Sequence, residues 1–210
     1  MKSIFFEEKT QVQSSETLKK LTGLSEFFFD KDTVVTFEGR VTLEAGIHFR
    51  GECNIGDGVS IDTGCILKNI VVGKGSNIRS HSVLQDSRFG KNNIIGPFCF
   101  VRNKTFVGDD CIVGSHVEVA RSSLGPNVKI SHQAFIGDAF IEESAIIGAG
   151  VVFCNYDGGF KQSSTVGEGS IIGSGTMIVS PIKVGSNVVI GAGSVITKDI
   201  KDNSNLIQKR

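Results

Sequence analysis

Three histidines, His81, His116 and His132, are the side chains best suited to acid–base chemistry in this sequence. An imidazole titrates near neutral pH, so it can accept a proton from a reacting group or bind a metal ion. His81 and His116 occupy the same position of a repeat, and His132 lies near that position one coil further along. A lone histidine in a strand more often has a structural role, so a catalytic role must be inferred from the residues around it.

The five cysteines suggest no redox or metal chemistry, because none forms a Cys-x-x-Cys pair. Four of them (Cys53, Cys65, Cys99 and Cys111) fall at one recurring position of the repeat, as small apolar side chains would. We therefore expect free, buried thiols in a reducing compartment, and not disulfides or a metal cluster.

The elements that must position these side chains belong to a six-residue repeat. Aliphatic or phenylalanine anchors recur at six-residue spacing, with occasional steps of five, and the order breaks once, between Phe153 and Val166. The anchors are Phe37, Leu43, Phe49, Ile55, Ile61, Leu67, Val72, Ile78, Leu84, Phe89, Ile95, Val101, Val107, Val113, Val119, Leu124, Ile130, Ile136, Ile141, Ile147, Phe153, Val166, Ile172, Ile178, Val184, Ile190 and Ile196.

The unit reads aliphatic-Gly-x-x-small-x, and it predicts one short strand and one turn. We expect the anchor to point into a narrow interior, the glycine to relieve the turn and the small residue to fit the bend. Three units would close a triangular coil of about 18 residues, stacked on the next at roughly 4.8 Å. A period of six fits neither an amphipathic helix nor a heptad. The pattern therefore predicts an all-β parallel β-helix without fixing its hand, and the steps of five indicate one tightened corner.

The same pattern divides the chain. Residues 34–200 are predicted to form the β-helix, with a loop at 154–165 that leaves the prism and is a favoured place for function. Residues 1–33 form an N-terminal extension with a short helix from Ser15 to Leu24, expected to cap the open end or to reach another subunit. Residues 201–210 are a C-terminal tail.

Charge and hydropathy exclude several function classes. The 22 Lys and Arg residues balance the 22 Asp and Glu residues. The chain therefore has no positive net charge that would favour binding to nucleic acid or to a membrane surface. The N-terminus resembles neither a signal nor a transit peptide, and no apolar run approaches the roughly 20 residues of a membrane-spanning helix. A cytoplasmic protein is expected.

From residue 95 onward the chain reads IGPFCFVRNKT, GSHVEVA, KISHQAFIGDA, IGAGVVFCNYDG, GSGTMIVSPIKVG and IGAGSVITKDI. This order and spacing resemble the acetyltransferase domain of the bacterial bifunctional enzyme GlmU, a hexapeptide-repeat acyltransferase. The resemblance implies a left-handed β-helix, acetyl-CoA as co-substrate and an amine acceptor, with His132 as the general base. The residues that match the family's acetyl-CoA contacts are Ala149, Asn155, Tyr156, Ser174, Ala192 and Lys209.

The acceptor side departs from the family. Arg102 and Lys161 match basic residues that hold a sugar phosphate, and Arg121 is a further basic candidate next to them. Three polar positions of the family have become Ala120, Phe135 and Ile146. Since a site built to hydrogen-bond its ligand loses affinity with each lost contact, either the small-molecule acceptor is different and more apolar, or catalysis has been lost.

The resemblance also implies a homotrimer with active sites between subunits. The nucleotidyltransferase half of the GlmU family has no counterpart in these 210 residues, so a separate nucleotidyltransferase partner is one expectation for residues 1–33. Two alternatives remain open: a non-catalytic scaffold or ligand- or protein-binding homologue, and a zinc-dependent hydratase using the three histidines. No metal site is expected, because the sequence around His81 and His116 lacks the motif of such hydratases.

Overall fold

A computed structural model describes residues 2–24 and 26–207 of the chain. It contains one helix, α1 (Ser15–Thr22), and many short strands. The strands are β1 (Lys2–Val12), β2 (Phe28–Phe29), β3 (Val34–Leu43), β4 (His48–Ile55), β5 (Ser60–Ile61), β6 (Ile66–Val72), β7 (Asn77–Ile78), β8 (Val83–Phe89), β9 (Ile94–Ile95), β10 (Phe100–Arg102), β11 (Phe106–Val107), β12 (Ile112–Ser115), β13 (Glu118–Ala120), β14 (Ser123–Leu124), β15 (Lys129–His132), β16 (Phe135–Gly137), β17 (Ala139–Ile141), β18 (Ile146–Ile147), β19 (Val152–Cys154), β20 (Ser164–Val166), β21 (Ile171–Ile172), β22 (Met177–Val179), β23 (Lys183–Val184), β24 (Val189–Ile190), β25 (Val195–Ile196) and β26 (Asn205–Leu206).

The strands wind into a left-handed parallel β-helix of about ten turns, which confirms the predicted fold class. Within the prism the strands pair in parallel with those of the neighbouring coils, as Val101 does with Leu84 and Val119. The anchors form three columns, one for each face of the prism. We call face 1 the column through Val119 and Ile136, face 2 the column through Leu124 and Ile141, and face 3 the column through Ile130 and Ile147.

The anchors fill a continuous apolar interior, since Phe37, Phe49, Leu84, Ile130 and Phe153 are fully buried. Burying side chains of this size typically contributes about 1.5–3 kcal/mol each.

The cysteines at the small-residue position are free and buried, as predicted. Burial raises the pKa of the Cys53 thiol to about 11 and that of the Cys65 thiol to about 12. Because the thiolate is the reactive form, these cysteines are packing residues and not nucleophiles.

Most corners are turned by a residue with positive φ. The five-residue steps all fall at the corner from face 1 to face 2, where one residue per coil takes the left-handed conformation: Asn69, Asp86, Arg121 and Asp138, with φ between 47° and 53°. We call this the Arg121 corner, and the corner from face 3 to face 1 the His132 corner.

The glycine that follows many anchors has a different role from the one predicted. Gly148 and Gly173 lie outside the positive-φ region. A Cβ on Gly173 would lie 2.5 Å from the backbone nitrogen of Ala192, and one on Gly148 would lie 2.5 Å from that of Ser174. These glycines permit adjacent coils to approach closely, and the turns themselves are made by residues further along the repeat.

The N-terminal segment packs across the first coils. Strand β1 runs antiparallel to β3, and the Phe6 ring stacks on Phe37 with centroids 5.1 Å apart. Helix α1 begins after Ser14, whose hydroxyl accepts from the Thr17 N–H, and ends at Gly23 with φ 69°. The sequence pattern did not predict β1. Among the described residues no helix is long and apolar enough to cross a bilayer.

Candidate functional site

His132 lies at the end of β15 on the His132 corner, and its side chain is exposed. The strand register aligns it with Ser115 of the preceding coil. The same register continues into the following coils, because Ile130 pairs with Ile147, Ile147 with Ile172, and Ile172 with Ile190.

Two residues beyond each of these anchors stand His132, Ala149, Ser174 and Ala192. The coils at this corner are tied by hydrogen bonds from the Gly175 N–H to the Ala149 carbonyl and from the Gly193 N–H to the Ser174 carbonyl, both 2.7 Å. Four of the predicted site residues therefore form one line, with roughly 4.8 Å between coils.

Exposed apolar side chains flank this line on both sides. On face 3, Ile146 and Ile171 are 40% and 41% exposed, and on face 1, Met177 is exposed and Val152 half-buried. Small side chains at the corner between apolar walls leave a shallow strip suited to a thin, partly apolar ligand chain.

Asn155 and Tyr156 lie elsewhere in the chain. They begin the loop between β19 and β20 at the Arg121 corner, one full hexad away from the His132 corner. The Tyr156 side chain is exposed, and its hydroxyl donates to the Gly158 carbonyl at 2.9 Å. A single chain therefore does not bring all the predicted cofactor residues together.

The loop itself is closed by Asp157. Its carboxylate accepts from the Phe160 and Gly159 N–H groups and from the Gln162 side chain, at 2.7–2.9 Å. These hydrogen bonds lower the pKa of Asp157 to about 2, and the bond from the Phe160 N–H has the largest effect.

A three-residue network anchors the base of the loop. Arg121 donates from Nε and Nη2 to the two carboxylate oxygens of Asp138, at 2.7 and 2.8 Å. The Asn155 amide donates to the same carboxylate, and Asn155 is buried. Hydrogen bonding from Arg121, more than any other contact, lowers the pKa of Asp138. Sequence reasoning did not single out Asp138, although it stands in the GDA step and at a five-residue step.

The other predicted acceptor residues are spread along face 1 and the loop. Both Nε and Nη2 of Arg102 donate to one carboxylate oxygen of Glu118, at 3.0 and 2.7 Å, and its guanidinium lies 5.3 Å from the Phe100 ring centroid. Lys161 is exposed and its backbone bridges to Tyr156. In the single chain, Glu118 thus neutralises Arg102, and Asp138 neutralises Arg121.

The three positions that depart from the family pattern differ in their exposure to solvent. Ala120 is fully buried, Phe135 is half-buried on face 1 and Ile146 is exposed on face 3. Lys209 lies outside the described residues.

His81 and His116 form part of an aromatic ladder on the His132 corner. The Phe98 ring lies between them, with centroid separations of 5.3 and 5.4 Å and interplanar angles of 12° and 19°. A phenyl ring therefore separates the two imidazoles. Within residues 2–24 and 26–207, no three His, Cys, Asp or Glu side chains converge as metal ligands would.

This coil geometry and the line of small residues beside a histidine define the class of left-handed β-helix proteins built from hexapeptide repeats. A family model described as the GMPPB C-terminal domain matches residues 33–137, half of the chain, and one for the bacterial transferase hexapeptide matches residues 163–198. The chain belongs to the hexapeptide-repeat acyltransferase domains that resemble the C-terminal domain of GlmU.

Curated relatives agree with this family. The bifunctional protein GlmU of Alkalilimnicola ehrlichii is 38% identical over 142 residues, which cover 68% of this chain and 31% of the relative. The GlmU of Baumannia cicadellinicola is 33% identical over 144 residues, covering 69% and 31%. The chain thus spans about a third of the length of these relatives.

Solved structures share the fold. The UDP-N-acetylglucosamine acyltransferase LpxA from Bacteroides fragilis has a TM-score of 0.53 at 17% identity, covering 84% of this chain and 68% of that one. LpxA from Moraxella catarrhalis gives 0.51 at 16%, covering 84% and 67%.

Proposed function

We propose that the protein transfers an acetyl group from acetyl-CoA to the amine of a small molecule. The alignment of His132 with Ala149, Ser174 and Ala192 along one corner carries this proposal. The strip of small side chains between apolar walls suits the thin pantetheine arm, whose thioester end would lie toward His132. The family assignment supports acyl transfer, and the GlmU resemblance supplies acetyl-CoA.

In the proposed reaction the amine nitrogen attacks the thioester carbonyl, a C–N bond forms and the C–S bond breaks. His132 would accept the proton that the amine loses and pass it to the departing thiolate. The His132 side chain is exposed, and an imidazole nitrogen can accept a proton and later donate it.

The separation of Asn155 and Tyr156 from the His132 corner supports active sites shared between subunits. We propose a homotrimer in which the 154–165 loop of one chain completes the His132 corner of its neighbour. The exposed Ile146, Ile171 and Met177 would then be covered by the neighbouring subunit or by the bound co-substrate.

The acceptor is proposed to be less anionic than a sugar phosphate. Arg102 is neutralised by Glu118 and Arg121 by Asp138, so a phosphate would have to compete with a carboxylate for either guanidinium. Lys161 lacks such an ion pair among the described residues, and it remains the basic candidate for holding an acceptor. Phe135 and Ile146 favour an acceptor with an apolar portion.

Acetyl-CoA binding, measured by calorimetry, tests the proposal. Wild type is expected to bind, and both Ser174→Trp and the double variant Asn155→Ala with Tyr156→Ala are expected to lose binding. Glu168→Trp is the matched control, because Glu168 is exposed on the same coil as Ser174 but far from the His132 corner. A panel of amines with a thiol-release assay would then identify the acceptor, and His132→Asn should bind acetyl-CoA without turnover.

The same experiment separates the competing function. The neutralised arginines and the apolar Phe135 and Ile146 favour a non-catalytic homologue that retains the scaffold. Failure of the wild-type protein to bind acetyl-CoA at millimolar concentration would remove the transferase proposal and favour that homologue.

A further inference from the structure

Two phenylalanines protrude from face 2 with a gap between them. Phe106 and Phe140 are 48% and 57% exposed, although large apolar side chains on a β-helix normally point inward. The register pairs Phe106 with Ser123 and Ser123 with Phe140, so all three outward side chains share one column on consecutive coils. The coil between the two rings carries only a hydroxymethyl group.

The spacing of the coils fits one aromatic ring into this gap. On the His132 corner the same scaffold holds Phe98 between His81 and His116, with successive centroids 5.3 and 5.4 Å apart. These values lie within the range in which aromatic rings attract one another. A column of rings two coils apart therefore accepts a third ring in the middle, and in the Phe106–Ser123–Phe140 column the protein does not supply it.

Polar and cationic groups surround the gap. Phe106, Ser123 and Phe140 line a cavity of about 310 Å³ together with Asn103, Lys104, Arg121 and Ser122. Arg121 is held by Asp138. Lys104 is exposed and has no carboxylate partner among the described residues, so it is the available cation at the rim.

We propose that this cavity, the Phe106–Phe140 slot, binds a nucleobase that carries a phosphate. The base would stack between the two phenyl rings, and the Lys104 ammonium would pair with the phosphate. The site is on face 2 and includes none of the residues proposed to hold the acetyl group or the base catalyst. Nucleotide binding to the slot can therefore be measured separately from acetyl transfer. The ligand is a free nucleotide, the nucleotide portion of an acceptor, or the adenosine 3′-phosphate end of CoA.

Calorimetric titration with AMP, UMP, adenosine and inorganic phosphate tests the slot. Wild type is expected to bind AMP or UMP more tightly than adenosine, and to bind phosphate alone weakly. Phe106→Ala and Phe140→Ala should each weaken nucleotide binding about tenfold or more, because base stacking contributes affinity of that order. Lys104→Gln should remove the preference for AMP over adenosine.

Ser123→Phe is the most discriminating variant, since it supplies the missing ring from the protein. It should abolish nucleotide binding without reducing the melting temperature, because the side chain points outward and phenylalanine favours strands. Phe5→Ala is the matched control: Phe5 is also an exposed phenylalanine, but it lies on β1.

Acetyl-CoA distinguishes the sources of the base. If the slot variants weaken acetyl-CoA binding as much as AMP binding, the slot receives the adenosine end of CoA. If they weaken AMP or UMP alone, the ligand is a separate nucleotide or a nucleotide-bearing acceptor. The proposal fails if wild type binds no nucleotide at millimolar concentration. It also fails if Ser123→Phe binds nucleotide as wild type does, or if the variants change the oligomeric state, which would mean that a second chain fills the slot.

Discussion

At the scale of single residues, Asp138 connects two regions that the sequence had suggested for different substrates. Its carboxylate holds Arg121, a candidate for the acceptor, and Asn155, a candidate for acetyl-CoA. A charged hydrogen-bond pair of this kind orients both partners and costs more to break than a neutral one. Asp138 therefore positions the base of the loop without itself having to contact a substrate.

We expect Asp138→Asn to lower the free energy of unfolding by about 1.5–3 kcal/mol at pH 7, the usual contribution of hydrogen bonds to a charged group. The pKa of Asp138 is lower in the folded chain, so its stabilising contribution is present above the ordinary carboxyl value of about 3.9. That contribution is lost as the pH falls through the lower folded value. Denaturant titrations at several pH values should therefore show less acid sensitivity in the variant than in wild type.

Asp157→Asn is the control for this measurement. Its carboxylate is also hydrogen-bonded and its pKa is also lowered, to about 2, but it lies in the exposed loop. Global stability at pH 7 should fall less in that variant than in Asp138→Asn, because solvent weakens the interactions of an exposed carboxylate. Equal acid sensitivity in wild type and Asp138→Asn would contradict the role assigned to the Arg121–Asp138–Asn155 network.

At the scale of elements, the six-residue period predicted nearly every rung of the prism because one anchor per hexad must point inward. It also predicted a single tightened corner from the five-residue steps. It did not predict β1, since Phe6 and Val12 are its buried apolar residues and polar side chains separate them. An antiparallel strand added to one edge obeys neither the period nor the glycine pattern.

The glycine after the anchor gives a prediction about coil stacking. Gly173→Ala should lower the free energy of unfolding by about 1–3 kcal/mol, because the new methyl group would overlap the backbone of Ala192 and Ile190. Thermal unfolding followed by circular dichroism measures the effect. In Gly159→Ala the added methyl would lie at ordinary contact distance, 3.6 Å from the Asp157 side chain, so that control should melt as wild type does. Similar melting of both variants would contradict the role of this glycine in the close approach of adjacent coils.

At the scale of the whole molecule, a repetitive sequence specifies the coil but not what lies beyond it. The pattern permits either hand, and the left hand followed from family resemblance. It also carries no information on how Asn155 and Ala149 meet, because they occupy different corners of one chain and their proposed meeting requires a second chain. The Phe106–Ser123–Phe140 column was likewise hidden, since the three residues are separated in sequence and share a column only once the coils are stacked.

Substitutions in helix α1 test whether the N-terminal segment and the β-helix unfold as one unit. Leu18 of helix α1 is fully buried and belongs to the same apolar core as Phe6, Phe27 and Phe37, so we infer that the N-terminal segment covers the end of the prism. Leu18→Ala should lower the free energy of unfolding by about 2–5 kcal/mol through lost burial and a residual cavity. Leu21→Ala, on the same helix but with the side chain 44% exposed, should change it little.

Because an uncovered end exposes apolar surface and strand edges, the Leu18→Ala chain should lose the β-helix signal in the same transition as the helix. Melting of the β-helix at the wild-type temperature after α1 has unfolded would instead mean that residues 1–33 are an appendage free for another partner.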